Sequence, residues 1–166
     1  EARRMVGLQV FREQDARTER SKPNSIGVGS YTIDCHGVQR LPHPERGETS
    51  EGGLGVRIRP YEIPYGVLCP LKHRNLLVPV CCSAPHVGYA TLRMEPVYMI
   101  LGHASGVALH LALTGQTSVQ EVPVDQLQAT LKEQNAILEA PYWPEITIKV
   151  TPEGAVPVGA EVTFEV

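Results

Sequence analysis

The residues with most chemical potential lie between Ser83 and Val97. A run of small side chains (Ser83, Ala84, Gly88, Ala90) leads into Thr91-Leu92-Arg93-Met94-Glu95-Pro96, followed by a long apolar segment. Proline suits the first helical position, where an N–H would lack a partner anyway. The spacing therefore predicts a helix from Pro96 to Leu113, stopped by Thr114-Gly115. The first amides of such a helix carry a partial positive charge and favour an electron-rich or anionic group. Arg93 adds a fixed cation at that mouth, and the small residues let a planar ligand approach the backbone. An ordinary buried strand–loop–helix crossover has the same spacing. His36 and His86 are each suited either to proton transfer near neutral pH or to a structural hydrogen bond.

Four cysteines, Cys35, Cys69, Cys81 and Cys82, show no C-x-x-C spacing. Cys35-His36, or Cys82 with His86, can be drawn as a metal site. Cysteine packs as a small hydrophobe, so the expectation is buried free thiols and no metal. Up to Met94 there are 11 Arg and 2 Lys against 9 acids, a balance of +4; beyond it the balance is −7. The asymmetry reads as a solvated surface or as an anionic ligand held by the first part, since guanidinium suits phosphate and carboxylate. A net charge of −3 argues against a dedicated nucleic-acid binder.

These residues need elements to position them. The 166 residues suffice for one ordinary domain, and 15 Gly with 14 Pro argue for many turns rather than a helical bundle. Met5–Phe11 and Gly29–Cys35 predict strands, with a polar loop or short exposed helix over Arg12–Asn24. Leu41–Gly55, rich in Pro, Gly and Glu, predicts a flexible loop. Tyr61–Val67 predicts a short strand broken by Pro64. Asn75–Val80 predicts a strand buried on both faces, and Cys82–Thr91 a tight passage of polar and small residues. In the Pro96 helix two histidines and a serine oppose a membrane span despite Gly102-x-x-x-Gly106; Gly102, Ala104, Gly106 and Ala108 instead predict close packing on a sheet. Asp125-Gln126-Leu127-Gln128 predicts a second helix with Asp125 as N-cap and Gln128 closing a capping box, with Leu127, Leu131 and Leu138 near one face, ending near Asn135. Ile146–Val150 and Glu161–Val166 predict strands opening a β-sandwich module.

The stretch NLLVPVCCSAPHVGYATLRMEPVYMILGHASGVA resembles the C-terminal flavin-binding segment of the FAD-dependent oxidoreductase family whose members are often labelled xanthan lyase-like. Asn75–Val78, Ser83, His86, Arg93-Met94, Pro96, Gly102 and Gly106 match its pattern, although His103 stands where glutamine is usual. Arg3-Arg4-Met5-Val6-Gly7, the segment 25–39, Tyr61–Tyr65 and VPVDQLQATLKEQNAIL resemble further elements of the family. The resemblance implies an α/β (mixed α+β) fold: an incomplete glutathione-reductase-like FAD domain with part of its substrate-domain sheet. It divides the chain into substrate-binding mixed sheet (1–70), C-terminal segment of the FAD domain (71–139), and linker with the first strands of a β module (140–166). It implies FAD as cofactor, with Ser83, His86, Arg93, Met94, Glu95, Pro96 and Val97 about the flavin. Tyr31, Asp34, His36 and Tyr65 fall on the substrate side, and His86, His36 and Tyr65 become catalytic candidates.

No G-x-G-x-x-G follows a strand anywhere in the sequence. The expectation is a piece of a longer oxidoreductase whose dinucleotide-binding half lies upstream, inactive alone, acting on a small molecule or glycan, without nucleic acid or membrane. No segment names a compartment. A non-catalytic binding module and a polysaccharide lyase are the alternatives.

Overall fold

A computed structural model describes residues 3–141 and the strand segments 149–151 and 163–165. Met5–Phe11 forms one isolated antiparallel bridge, Gly7 with Pro70, and bends at Leu8 and Gln9, and its amides turn to two neighbours instead of one ladder. Met5 N–H donates to Cys81 O and Phe11 N–H to Ser83 O, while Leu8 N–H donates to Cys69 O, each at 2.9 Å. The expected regular strand is thus a wedge between two segments. Helix α1 (Glu13–Arg17) follows and buries Ala16 completely.

The predicted Gly29–Cys35 strand is split into β1 (Ser25–Gly29) and β2 (Ile33–Cys35), because the chain changes partners between them. β2 turns Ile33 and Cys35 inward and Asp34 outward, as a period of two requires. The expected flexible loop Leu41–Gly55 is instead a hairpin. β3 (Gln39–His43) and β4 (Gly47–Glu51) pair antiparallel, with His43 opposite Gly47, whose φ of 79° suits glycine at the turn. Its side chains are largely exposed, so no apolar period advertised it; backbone pairing and turn chemistry make the ribbon.

β5 (Leu54–Val56) pairs with β2, and β6 (Tyr61–Pro64) pairs antiparallel with β1 across a bulge between Ser25 and Val28. β6 is buried throughout and passes at Pro64 into a 3-10 turn, Tyr65–Val67, as expected of a proline-broken strand. Phe11 and Tyr61 meet beneath it with ring centroids 5.2 Å apart.

Asn75–Val80 is not a strand. Only Leu77 is buried, Leu76 and Val80 are 44% and 47% exposed, and Val78 N–H donates to Leu68 O at 2.9 Å. A strand covered on both faces needs a central place in a wide sheet, whereas the sheets of the described residues are all two-stranded. The expected tight passage contains a helix, α2 (His86–Leu92), which packs on β2.

Helix α3 (Glu95–Thr114) agrees closely with expectation, with Pro96 in its first turn. It lies on β1, but the close approach comes from the strand: a Cβ on Gly27 would sit 2.2 Å from Ile100 Cγ2. Gly102 and Gly106 face open space, contrary to the expected packing. By length and composition α3 could cross a membrane; here one face covers β1 and α4 (Val124–Glu133). In α4 the N-cap is Pro123, and Asp125 lies inside the first turn, where its charge suits the helix dipole. Gln128 does not close a capping box. Its Nε2 donates to Pro23 O and Ser25 O, both at 3.0 Å, tying the helix to β1. Leu127, Leu131 and Leu138 fill the core as the spacing predicted.

The architecture of the described residues is mixed α and β, with small antiparallel sheets and four helices. β7 (Lys149–Thr151) and β8 (Thr163–Glu165) pair antiparallel, β7 overlapping the end of the predicted strand Ile146–Val150 and β8 lying within Glu161–Val166; the rest of those strands and the β-sandwich reading lie outside the described residues.

Candidate functional site

The short link between α2 and α3 sets the site. α2 ends at Leu92, Arg93 forms its C-cap, and Met94 caps α3 with extended backbone, so two residues turn the chain from one helix to the next. Tyr98 N–H is satisfied by Met94 O at 3.0 Å, and no side chain caps the start of α3. Pro96 has no N–H to satisfy. The amides of Glu95 and Val97 thus stand at an uncapped mouth, with Glu95 and Pro96 exposed and the Val97 side chain buried. A short electron-rich edge could take those donors.

Arg93 does not stand alone at this mouth. Its Nη2 donates to Asp34 O at 2.9 Å and lies 3.5 Å from Asp34 Oδ2 and 3.3 Å from His36 Nε2. His36 Nε2 is in turn 3.3 Å from Asp34 Oδ2. Alternation in β2 explains the meeting: Asp34 is the outward residue between buried Ile33 and Cys35, and the strand packs on the helix that ends at Arg93. Arg93 Nε is buried and meets no acceptor among the described residues. The guanidinium is therefore anchored at one end and has a donor in reserve. The group is half open: the His36 side chain is 74% exposed and that of Arg93 only 24%.

Below this cluster runs a contact that sequence reasoning missed. Thr91 Oγ1 donates to Tyr31 O and lies 2.8 Å from the Tyr61 hydroxyl, which also donates to Thr91 O at 3.0 Å. Burial raises the Tyr61 phenol above its ordinary range, so it acts as a neutral donor that locks α2 to the sheet. Its only sequence signal was an aromatic residue at a strand start opposite an unremarkable threonine. Tyr31 is joined to this knot by its backbone, leaving its ring partly exposed.

The remaining candidates are placed elsewhere. Ser83 is buried, and its Oγ accepts the Gly7 N–H at 2.9 Å, which staples the N-terminal wedge. His86 opens α2 and is half-buried. Tyr65 is not brought to the cluster. It is buried, donates its hydroxyl to Val119 O at 2.7 Å, and is raised above the ordinary phenol range by burial. Cys35, Cys69 and Cys82 are buried thiols and Cys81 is half-covered; burial pushes Cys69 and Cys82 each up to about 11.

The site thus unites a uncapped helix mouth, a clamped arginine, a carboxylate and an exposed histidine. Such a group can stabilise negative charge and exchange a proton at its edge, and it fits a cofactor with an electron-rich rim. The sequence model of the FAD dependent oxidoreductase family matches residues 1–131. No curated protein and no solved structure matches the chain.

Proposed function

Because the chain belongs to the FAD dependent oxidoreductase family, whose cofactor is FAD, we propose that it forms the flavin-facing part of a xanthan lyase-like oxidoreductase. The proposed substrate is an organic molecule, with carbohydrate the class suggested by the subfamily label. One observation carries the reading: the uncapped start of α3 beside Arg93, whose buried Nε has no acceptor among the described residues. When bound, the flavin supplies hydride and electron transfer; the protein supplies orientation and electrostatics.

In this reading the amides of Glu95 and Val97 and the guanidinium of Arg93 stabilise negative charge at the ring's polar edge. Asp34 holds Arg93 in place through its carbonyl and carboxylate. His36, open to solvent beside them, gives or takes the proton that accompanies the redox step. Tyr31 and Asp34 border the substrate side, while Ser83 and Tyr65 support the frame. His86, the first residue of α2, is assigned to the cofactor side.

The 166 residues contain no Gly-rich dinucleotide motif, so we place the pyrophosphate grip in a further part of the protein. Titrating the chain with FAD is expected to give weak, non-stoichiometric binding; tight yellow binding would sink that part. In protein that holds flavin, Arg93→Leu is expected to lower the flavin midpoint potential, with Arg93→Lys restoring part of the shift. An unchanged potential in a folded, flavin-loaded Arg93→Leu protein would overturn the role given to this mouth.

A further inference from the structure

A cleft of about 480 Å³ opens beside the middle of α3, and the flavin reading makes no use of it. β1 supplies Ile26 and Val28 to its lining, α3 supplies Ile100, and the turn after α4 supplies Ala136 and Ile137. His103, which also lines it, stands about 12 Å along α3 from Glu95, so the cleft is separate from the α3 mouth. Its walls are set by the fold. On one side an added Cβ on Gly27 would stand 2.2 Å from Ile100 Cγ2, and only glycine lets α3 lie this close to β1. On the other, Asn135 N–H donates to Lys132 O at 3.0 Å and Ala136 N–H to Leu131 O at 2.9 Å, which fixes the turn. Ile137 is nevertheless 72% exposed, an aliphatic side chain at the rim of an aliphatic cleft.

The lining decides the charge of what fits. No Asp, Glu, Lys or Arg is among the residues that line the cleft. Of the charged residues nearest in sequence, Glu133 is exposed on α4 and Glu139 is paired with Lys132 at 2.8 Å. Arg59, before Pro60, lines a different cleft with Arg17, Arg20 and Arg57. An ion would therefore leave water for apolar walls without a counter-charge, which is costly, whereas a neutral body would not. Three polar residues, Ser30, His103 and Asn135, interrupt those walls. The chemistry of the imidazole follows from its partner. His103 Nε2 lies 2.5 Å from Gln134 Oε1, an oxygen that can only accept, so this nitrogen carries the proton and donates. In the neutral ring Nδ1 is then a bare acceptor, and among the described residues nothing donates to it.

We propose that this cleft binds a small neutral molecule with an apolar ring body and one O–H or N–H group, which donates to His103 Nδ1. The volume lies within the range of small-molecule sites, and such sites hold an apolar body by their walls and orient it by a few polar groups. The cleft needs neither Arg93 nor FAD and stands or falls independently of the flavin reading.

The test is a methyl NMR titration of the whole chain with indole, at about pH 8, where an ordinary imidazole is neutral. Indole is neutral and offers one N–H; 1-methylindole keeps the body without the donor, and indole-3-carboxylate adds a negative charge. Indole is expected to give saturable shifts of the Ile26 and Ile100 methyls, with the other two probes each at least threefold weaker. His103→Phe, at an exposed position, is expected to weaken indole at least threefold and leave 1-methylindole unchanged, with thermal unfolding near the parent's. If that variant does not fold, the three probes on the parent chain decide alone. No saturable shift, the outcome if Tyr142 or Trp143 just beyond Pro141 fills the cleft, overturns the proposal. So does an indole affinity that falls as protein concentration rises, which marks a second copy seated there. Equal binding of indole and either other probe overturns it too, as does a folded His103→Phe chain that binds indole like the parent or loses both neutral probes alike.

Discussion

Single residues in this chain act through the partners the fold hands them. Glu121 shows it most plainly, because it is exposed and yet its carboxyl is held down to about 2. Ser118 is the main cause: its hydroxyl donates to Glu121 Oε2 at 2.7 Å and its amide at 3.2 Å, and Arg74 Nη2 adds a third donor at 2.8 Å. A carboxyl lowered in the folded state stabilises the fold above its ordinary titration range. That contribution fades as pH falls from there through about 2. A carbon-detected NMR titration is expected to place the Glu121 midpoint near 2, and Ser118→Ala to move it upward; an ordinary glutamate midpoint in the parent would contradict the geometry. Ser118 and Glu121, three residues apart, form a capping box on a 3-10 turn that the sequence reading passed over. Tyr65 went the other way: resemblance implied a chemical role, whereas packing sets its hydroxyl on the Val119 carbonyl.

At the scale of elements, glycines separate the contacts that matter from those that do not. Gly88 lies in α2 where an added Cβ would stand 2.1 Å from Phe11 O, a backbone atom that cannot swing away. Gly88→Ala is therefore expected to cost about 1–3 kcal/mol by forcing helix and wedge apart. Gly102 in α3 has nothing within 4 Å of its added Cβ. Gly102→Ala is expected to stabilise by about 0.5–1 kcal/mol, the helix-interior preference for alanine. Urea unfolding of both variants decides the matter, and a destabilised Gly102→Ala would show that α3's outer face is covered. The extent of α3 could be read from sequence because proline opens it and threonine–glycine follows it. α2 could not, since its seven residues, HVGYATL, are too few to show a helical period, and the helix forms where Gly88 lets it seat on the wedge.

For the whole molecule, Glu62 is the tie between distant stretches. It is buried in β6, and its carboxylate accepts Lys22 N–H at 2.6 Å, Ala140 N–H at 3.0 Å and the Ser21 hydroxyl at 3.3 Å. Three segments far apart in the chain thus close on one side chain. Removing it strands two backbone donors, so Glu62→Ala is expected to cost about 2–3 kcal/mol. Hydrogen exchange should show the amides of Lys22 and Ala140 losing protection together; loss at only one would mean that the tie is not shared. The same closure brings the α1 end against the backbone after β5, which is why four arginines spread over 43 positions line one cleft.

The amino-acid order was enough to give the mixed α and β character, the span of α3, the proline break after β6, the leucines of α4 and the family pattern around Arg93. The family pattern and the fold class rest on the resemblance; the others depend on local rules: helix-end chemistry, the limits of proline and the spacing of apolar side chains. It was also enough to single out Arg93, Asp34 and His36. Their meeting at 3.3–3.5 Å was a matter for the tertiary structure, as were the loss of the Asn75–Val80 strand, the β3–β4 ribbon and the redirection of Gln128 to β1. A strand exists only if another strand offers its amides, and a side chain reaches the best acceptor in space rather than along the chain. Those partners are set when the chain closes on itself, which no window of neighbouring residues contains.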